Sequence, residues 1–479
     1  MMFEKGFLIL PEIIVIGAAA FFFGAAMGKV RSATILLAAG SSAALAALGS
    51  AVATFSRHGL LFGVYQIDVV SQTFKIIILG GLLLILLCTP RLRGITSAFS
   101  AEYFLFLFSG CVGLCLMTST AELMTMILSI EIASYAFYVL VPLRSKRYER
   151  EPFEAGIKYM FFGGAATALT LYGMSYLYGM ARSTYLSNLA RELPVLLAAE
   201  PLAVIGLVLF LVGICFKLGL APLHYWMPDA FTGAAHETAC AIATLPKVAA
   251  LCLLLRIFAL ASTSDGTVAL VFGTMAVLSM SIGNLSALGQ RDIKRLLAYS
   301  GIAHAGYLVV GMLASSSVGM AAVIYYAVGY VVMLVACFFV LYQLAPHGEN
   351  ITIEDLHGLA RRSPLLAVTL TVAAIGLAGI PPTIGFTGKF LMFAAALKHG
   401  WYIMVGFAIV NVCIAAFYYL RLIRAVYTGV SERAERITLP FHTAVSAVSL
   451  IGAIVVAGIV PRPLFENVLP AATSLLARF

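Results

Sequence analysis

The chain has 479 residues, of which 62% are hydrophobic and 11% charged, with a formal net charge of +9. A soluble domain carries roughly a quarter charged residues, so this composition excludes a water-soluble globular protein and makes the bilayer the solvent. No segment is polar and long enough for a separate soluble domain of about 100 residues, and no basic stripe is interleaved with exposed aromatics as a nucleic-acid groove requires.

A membrane span needs about 20 apolar residues, and about fourteen stretches qualify, which predicts an all-α polytopic membrane protein. The first three are 7–28, 33–54 and 70–88; the opening run continues as a span and lacks a cleavable small-residue site. Spans 101–118 and 120–141 follow, and the latter carries Glu131 in its middle, with Tyr135 and Tyr138 on the same face. Glu122 lies nine residues earlier, half a turn out of phase, so the two carboxylates do not form a dyad. Span 155–179 begins with Lys158. That lysine is either a partner for Glu131 on the adjacent span or a side chain snorkelling to the interface.

Span 201–220 ends at Lys217, where FKLGLAPLHYWMPDA interrupts the helical pattern with Pro222 and Pro228. Proline frees backbone carbonyls in the preceding turn. Those carbonyls and the negative end of the half-helix stabilise a cation and admit water. His224 lies in the break and suits proton relay. Span 236–261 carries Lys247 directly after Pro246, and spans 267–288, 296–314 and 318–344 follow, with His304 inside the second of these. The stretch 364–380, continued by 385–399, is broken by GIPPTIGFTG, and Lys389 follows the break. Spans 402–427 and 441–461 complete the set.

A lysine at the bilayer centre costs about 2.5–3.5 kcal/mol on insertion scales, so such groups are functional candidates. Glu131, Lys158, Lys217, His224, Lys247, His304 and Lys389 give a line of protonatable groups through consecutive spans. The alternatives are an interhelical hydrogen bond for Glu131, a plain kink beside Lys217, and a merely hydrogen-bonded His304. The two breaks are five spans apart, an odd number, which predicts two inverted repeats with discontinuous seventh and twelfth spans. The expected organisation is one membrane domain over 1–479: three N-terminal helices (1–100), a first five-helix repeat (101–261), its inverted counterpart (267–427) and a C-terminal helix (428–479).

Basic clusters at 91–94, 144–150, 290–295, 361–362 and 424–436 fall on alternate loops, which makes that face cytoplasmic. Both termini then lie on the opposite, periplasmic side. The eight cysteines are scattered in apolar runs, and Cys111 and Cys115 read as small buried hydrophobes rather than ligands. There is no P-loop, dinucleotide fingerprint or Fe–S framework, so any redox step belongs elsewhere.

The segments KYMFFGGAATALTLYGMSYLYG (158–179), FKLGLAPLHYWMPDAFTGA (216–234), QRDIKRLLAYSGIAHAGYLVVG (290–311) and GIPPTIGFTGKFLMF (379–393) resemble the antiporter-like membrane subunits of respiratory complex I, in the form of its N subunit, the homologue of mitochondrial subunit 2. The resemblance covers about 100–430. It implies fourteen transmembrane helices and a proton channel using Glu131, Lys217, Lys247 and Lys389, with Lys158 and His224 at matching motif positions. It also implies a multi-pass protein of the bacterial inner membrane, a non-redox subunit of an NADH–quinone oxidoreductase. Its partners would be neighbouring antiporter-like and small membrane subunits, the bilayer and, indirectly, the peripheral redox arm; FMN, Fe–S clusters, NADH and quinone would belong to partner subunits, none to this chain. One departure is AHETACAIA after the first break, which places His236 and Glu237 at the start of the eighth span, either as a proton-uptake group or as a cap. Rival readings are a subunit of an Mrp-type cation/proton antiporter, a related ferredoxin- or F420H2-driven complex, and a membrane scaffold.

Overall fold

A computed structural model describes residues 8–28, 30, 32–54, 59–61, 63–144, 150–261, 266–429 and 436–476. The basic residues at 145–149 and 431–435 lie outside the described residues, as do parts of the two clusters that contain them.

The described chain is helical almost throughout. Helices α1 (Leu10–Met27) and α2 (Ser32–Ala53) lead into a short antiparallel hairpin, β1 (Gly59–Leu61) and β2 (Tyr65–Ile67), and then α3 (Val69–Cys88). α4 (Ser100–Ser119), α5 (Leu123–Leu140) and α6 (Arg150–Ala181) follow, then an amphipathic α7 (Leu186–Ala199) and α8 (Pro201–Leu218). Next come the short α9 (Trp226–Gly233), α10 (His236–Ala261), α11 (Gly266–Leu288), α12 (Ile293–Leu313) and α13 (Ser317–Leu344). The chain ends with the one-turn α14 (Leu359–Arg362), α15 (Pro364–Ala378), α16 (Ile384–Lys398), α17 (Tyr402–Tyr427), α18 (Phe441–Ile459) and α19 (Arg462–Leu476). Among the described residues, twelve helices are long and apolar enough to cross a membrane. α6 spans 32 residues but is diluted by glycine and tyrosine, and α15 and α16 are 15 residues each, divided by the second break.

Helix starts follow capping chemistry. Asp68 and Ser71 form a reciprocal capping box on α3, and Glu122, Asp292 and Ser316 cap α5, α12 and α13 through their side chains. The connections are sorted to two faces. Bridges Tyr65–Thr120 and Glu122–Tyr185 join the loops at one end, while Ile95–Arg144 and Asp292–Thr352 join those at the other. α10, α12 and α13 are buried nearly all round and form the centre, whereas α1, α2, α17 and α18 show most of their apolar surface to the outside. α10 packs on α3, α4, α8 and α13, so Lys247 sits at the middle of the molecule.

The two breaks share a local geometry. α8 ends in Gly219 with φ +74°, and the Leu220 amide returns to Cys215 O at 3.0 Å. α15 ends in Gly379 with φ +84°, and the Ile380 amide returns to Ile375 O at 3.1 Å. Glycine supplies the left-handed conformation that this C-cap requires, and the prolines at 222, 381 and 382 cannot resume the helix.

Candidate functional site: a row of buried ionisable groups

At the first break Lys217 is 1% exposed, and its amine has no hydrogen-bond partner among the described residues. One carbonyl of the α8 terminus, Phe216 O, accepts instead from the Trp226 indole at 2.9 Å. The loop itself is pinned by the Ala221 amide on Ser279 Oγ at 2.8 Å. Tyr159 stacks on Trp226 with ring centres 4.3 Å apart, which packs α6 against the break. The Glu131 carboxylate acts electrostatically on Lys217 without pairing with it. Its own partner is Thr167, whose hydroxyl donates at 2.6 Å. His224 is buried in the break with its ring stacked on Tyr225, and Nδ1 has no partner.

Lys158 does not meet Glu131. It pairs with Asp229 of α9 at 2.9 Å and with Glu154 at 2.6 Å, and its side chain is 42% exposed. Thr167, which does reach Glu131, is nine residues further along α6, or about 13.5 Å at 1.5 Å per residue. Asp229 also pairs with Arg295 of α12 at 3.0 Å. These groups, with Glu151 and Asn350, line a cavity of about 270 Å³ at the face that carries the turns at 91–94 and 290–295.

On α10 the Lys247 amine donates to Gly301 O at 2.9 Å and to the Tyr330 hydroxyl at 3.2 Å. Lys247, Tyr330, His304 and Leu218 line a cavity of about 10 Å³, room for about one water. Leu218 is the last residue of α8, so this cavity adjoins the first break. His304 has Nδ1 at 2.7 Å from the Tyr326 hydroxyl and Nε2 at 3.4 Å from that of Tyr419. Its ring centre is 5.8 Å from that of Tyr307. Lys389 closes the row: its amine donates to Leu377 O at 2.8 Å and Ala378 O at 3.2 Å, and lies 4.8 Å from the centre of the Tyr307 ring. Those carbonyls are the unsatisfied C-terminal groups of α15. The second break thus holds its lysine on backbone carbonyls, whereas the first leaves Lys217 free.

The structure brings Lys247, His304 and Lys389 into one cluster and Glu131 and Lys217 into a second, with Leu218 at their junction. His224 and Lys158 lie beside the first break. His236 and Glu237 are fully enclosed: His236 Nε2 is 2.8 Å from Glu349 O, and Glu237 accepts the Arg93 and Gly94 amides at 2.7 and 3.2 Å. The Glu237 carboxylate therefore caps a loop. Sequence reasoning did not single out Asp229, Arg295, Tyr326 or Tyr330. Asp229 was visible, as an acid between a proline and an apolar run. Seven of the eight cysteines are buried, and among the described residues no cluster of three or more His, Cys, Asp or Glu has metal-binding geometry.

Residues 120–415 match the family model described as the transmembrane region of NADH:quinone oxidoreductase and Mrp antiporter proteins. NADH-quinone oxidoreductase subunit N 2 of Opitutus terrae is 41% identical over 458 residues, covering 94% of this chain and 95% of that protein. The protein of the same name from Solidesulfovibrio magneticus is 39% identical over 471 residues, covering 98% and 99%. Among solved structures, a chain of respiratory complex I from Thermus thermophilus with bound aureothin superposes with a TM-score of 0.81 at 30% identity, over 95% of this chain and 98% of that one. A chain of the Mrp complex from Dietzia sp. reaches a TM-score of 0.85 at 19% identity over 99% and 98%, a likeness of fold alone. A family match over more than half of the length, joined to relatives of this identity from end to end, means that the chain belongs to the NADH:quinone oxidoreductase/Mrp antiporter membrane-subunit family, in its subunit N group.

Proposed function

We propose that the chain is a proton-translocating, antiporter-like membrane subunit of a complex I-type NADH:quinone oxidoreductase, and that it contributes no redox group of its own. The observation that carries this reading is the continuity of ionisable groups from the half-buried Glu131 and the buried Lys217, across the cavity beside Leu218, to the buried Lys247, His304 and Lys389. Each lysine in the row is nearly solvent-free, and such groups are costly to keep in a bilayer unless they exchange protons or ions.

Protons enter this row from the 270 Å³ cavity at Lys158 and Asp229, the face whose basic loops make it cytoplasmic. Both termini then lie on the periplasmic side of a bacterial inner membrane. Lys217 carries the proton between Glu131 and the centre, with His224 as a relay in the break. Lys247 passes it through the water-sized cavity to His304, and Lys389 releases it on the other side. Neighbouring positive charges repel, so protonating one lysine favours proton loss from the next. The matching glycine C-caps, 160 residues apart (379 − 219), support the division into inverted repeats 101–261 and 267–427, with α6 and the α15–α16 pair completing fourteen spans. Donor, flavin, Fe–S and quinone sites then belong to partner subunits, and neighbouring membrane-arm subunits flank this one.

The test is Lys247→Ala in the intact complex. Proton pumping driven by quinone reduction falls to below about a tenth, as expected for loss of a proton-transfer group, while the subunits still assemble. Normal pumping with that substitution would sink the assignment, and an assembly defect alone would favour a scaffold. Copurification of the tagged chain with flavin and Fe–S subunits separates this reading from an Mrp-type antiporter, which would bring only membrane partners.

A further inference from the structure

The face opposite the basic turns holds a cavity of about 490 Å³ that the proton row does not use. It is built where helix ends meet: the β1–β2 hairpin, the α4–α5 turn, the start of α7 and the last turns of α10. Among the described residues its charged lining side chains are two arginines, Arg191 and Arg256, and no carboxylate lines it. Arg256 is 4% exposed. One of its terminal nitrogens is committed to Asp68 at 2.9 Å and Thr118 O at 3.0 Å, but Nε has no partner among the described residues. Among the described residues Arg256 is thus ion-paired with Asp68, whereas Arg191 makes no ion pair. Gln66, Ser187 and Tyr185 add polar groups to the wall.

The surroundings place this charge at headgroup depth. α7 buries Leu186, Leu189, Leu193 and Leu197 on one side and turns Arg191 outward, the pattern of a helix lying in the interface. Leu60 and Tyr185 stand exposed at the rim, an apolar side chain and an amphipathic ring at the level where acyl chains meet headgroups. Guanidinium groups pair with phosphate oxygens through charge-assisted hydrogen bonds. A phosphodiester supplies acceptor oxygens for both the Arg191 guanidinium and the Arg256 Nε–H. With no carboxylate in the wall to receive an ammonium, a headgroup that is anionic overall fits better than a zwitterionic one.

We propose that this cavity binds the phosphodiester headgroup of an anionic phospholipid such as phosphatidylglycerol, held between Arg191 and Arg256. The bound lipid joins three separate stretches of chain: the hairpin, α7 and the end of α10. The site is independent of the proton row, so its failure would leave that reading untouched.

The test uses the intact complex, with the wild-type chain or Arg191→Gln, stripped of loose lipid and titrated with phosphatidylglycerol or phosphatidylcholine. Retained lipid is counted by native mass spectrometry, and a photoreactive phosphatidylglycerol locates it. Arg191 is exposed, so its replacement leaves the fold intact, whereas Arg256→Ala also breaks the buried ion pair with Asp68. Expected are one retained phosphatidylglycerol per chain, crosslinks within 59–67 and 185–191, and binding about tenfold weaker in Arg191→Gln, the loss of one charge-assisted contact. Equal retention of phosphatidylcholine, or unchanged binding in Arg191→Gln, would overturn the proposal. Full displacement by millimolar inorganic phosphate would overturn the lipid assignment in favour of a soluble anion.

Discussion

At the residue scale the cluster of Lys247, His304 and Lys389 depends on uncharged side chains behind it. Asn284 of α11 donates to the Tyr307 hydroxyl at 3.0 Å and to Asn411 O at 3.1 Å, and accepts from the Tyr418 hydroxyl at 3.0 Å. It therefore ties α11, α12 and α17 together behind the ring on which Lys389 rests. Asn284→Ala strands two buried tyrosine hydroxyls, each costing about 1–3 kcal/mol. The thermal unfolding midpoint of the subunit should fall, and pumping should fall with it; an unchanged midpoint would show that the network tolerates its own loss. None of this was legible beforehand, because NLSALG offers no sign that its asparagine meets tyrosines 23 and 134 residues away. The lysines were legible for the opposite reason: a charge in an apolar run is conspicuous wherever it points. Their partners were not. Glu131 and Lys158 lie on adjacent helices, yet adjacency fixes neither depth nor phase, and Thr167 and Asp229 take the places that sequence order assigned to each other's partner.

Between residues and the whole lie the helices, whose two interruptions were readable because proline and glycine act locally, although Pro228, read as part of the first break, lies in the first turn of α9. The finer balance of each break was not. Gly379 has φ +84°, and an added Cβ would lie 2.9 Å from Cδ and 3.2 Å from Nζ of Lys389. Gly379→Ala therefore strains the cap by about 1 kcal/mol and pushes the amine off the carbonyls of Leu377 and Ala378. Pumping should drop with little change in the amount of assembled subunit. Gly452→Ala is the control, since an added Cβ there meets nothing within 4 Å and the residue keeps ordinary helical geometry. Equal loss in both variants would mean that the break has no special claim on Lys389. The amphipathic helices α7 and α19 are not legible as apolar runs of membrane length. Leucines at 186, 189, 193 and 197 are a helical stripe, but their polar neighbours keep the segment below any span threshold.

Across the whole molecule, the N-terminal helices must be fixed against the body without water at the contact. Two buried ion pairs do this. Arg256–Asp68 joins α10 to the start of α3, and Lys75–Glu12 joins α3 to α1 at 2.7 Å, with the Tyr65 hydroxyl on the same carboxylate at 2.6 Å. Lys75 is wholly buried and Glu12 nearly so. In sequence the two look unremarkable: Glu12 follows Pro11 at a helix start, and Lys75 stands one turn or two from another, where acids and snorkelling lysines are common. Their meeting depends on tertiary packing, with α1 lying on α2 and α4, α2 lying on α3, and the long side chains of Glu12 and Lys75 reaching each other between α1 and α3, which no local pattern encodes. Removing one partner of a buried pair leaves an uncompensated charge and costs about 3–5 kcal/mol, whereas replacing both with apolar side chains of similar volume is often neutral. Lys75→Met alone should therefore lower the thermal midpoint of the tagged subunit in detergent extracts and reduce its incorporation into the complex. Lys75→Met together with Glu12→Leu should restore both, less the hydrogen bond that Tyr65 loses. If the double substitution pumps normally, the pair only holds the N-terminal unit in place. If it is stable but pumps poorly, Glu12 and Lys75 exchange protons and belong to the path.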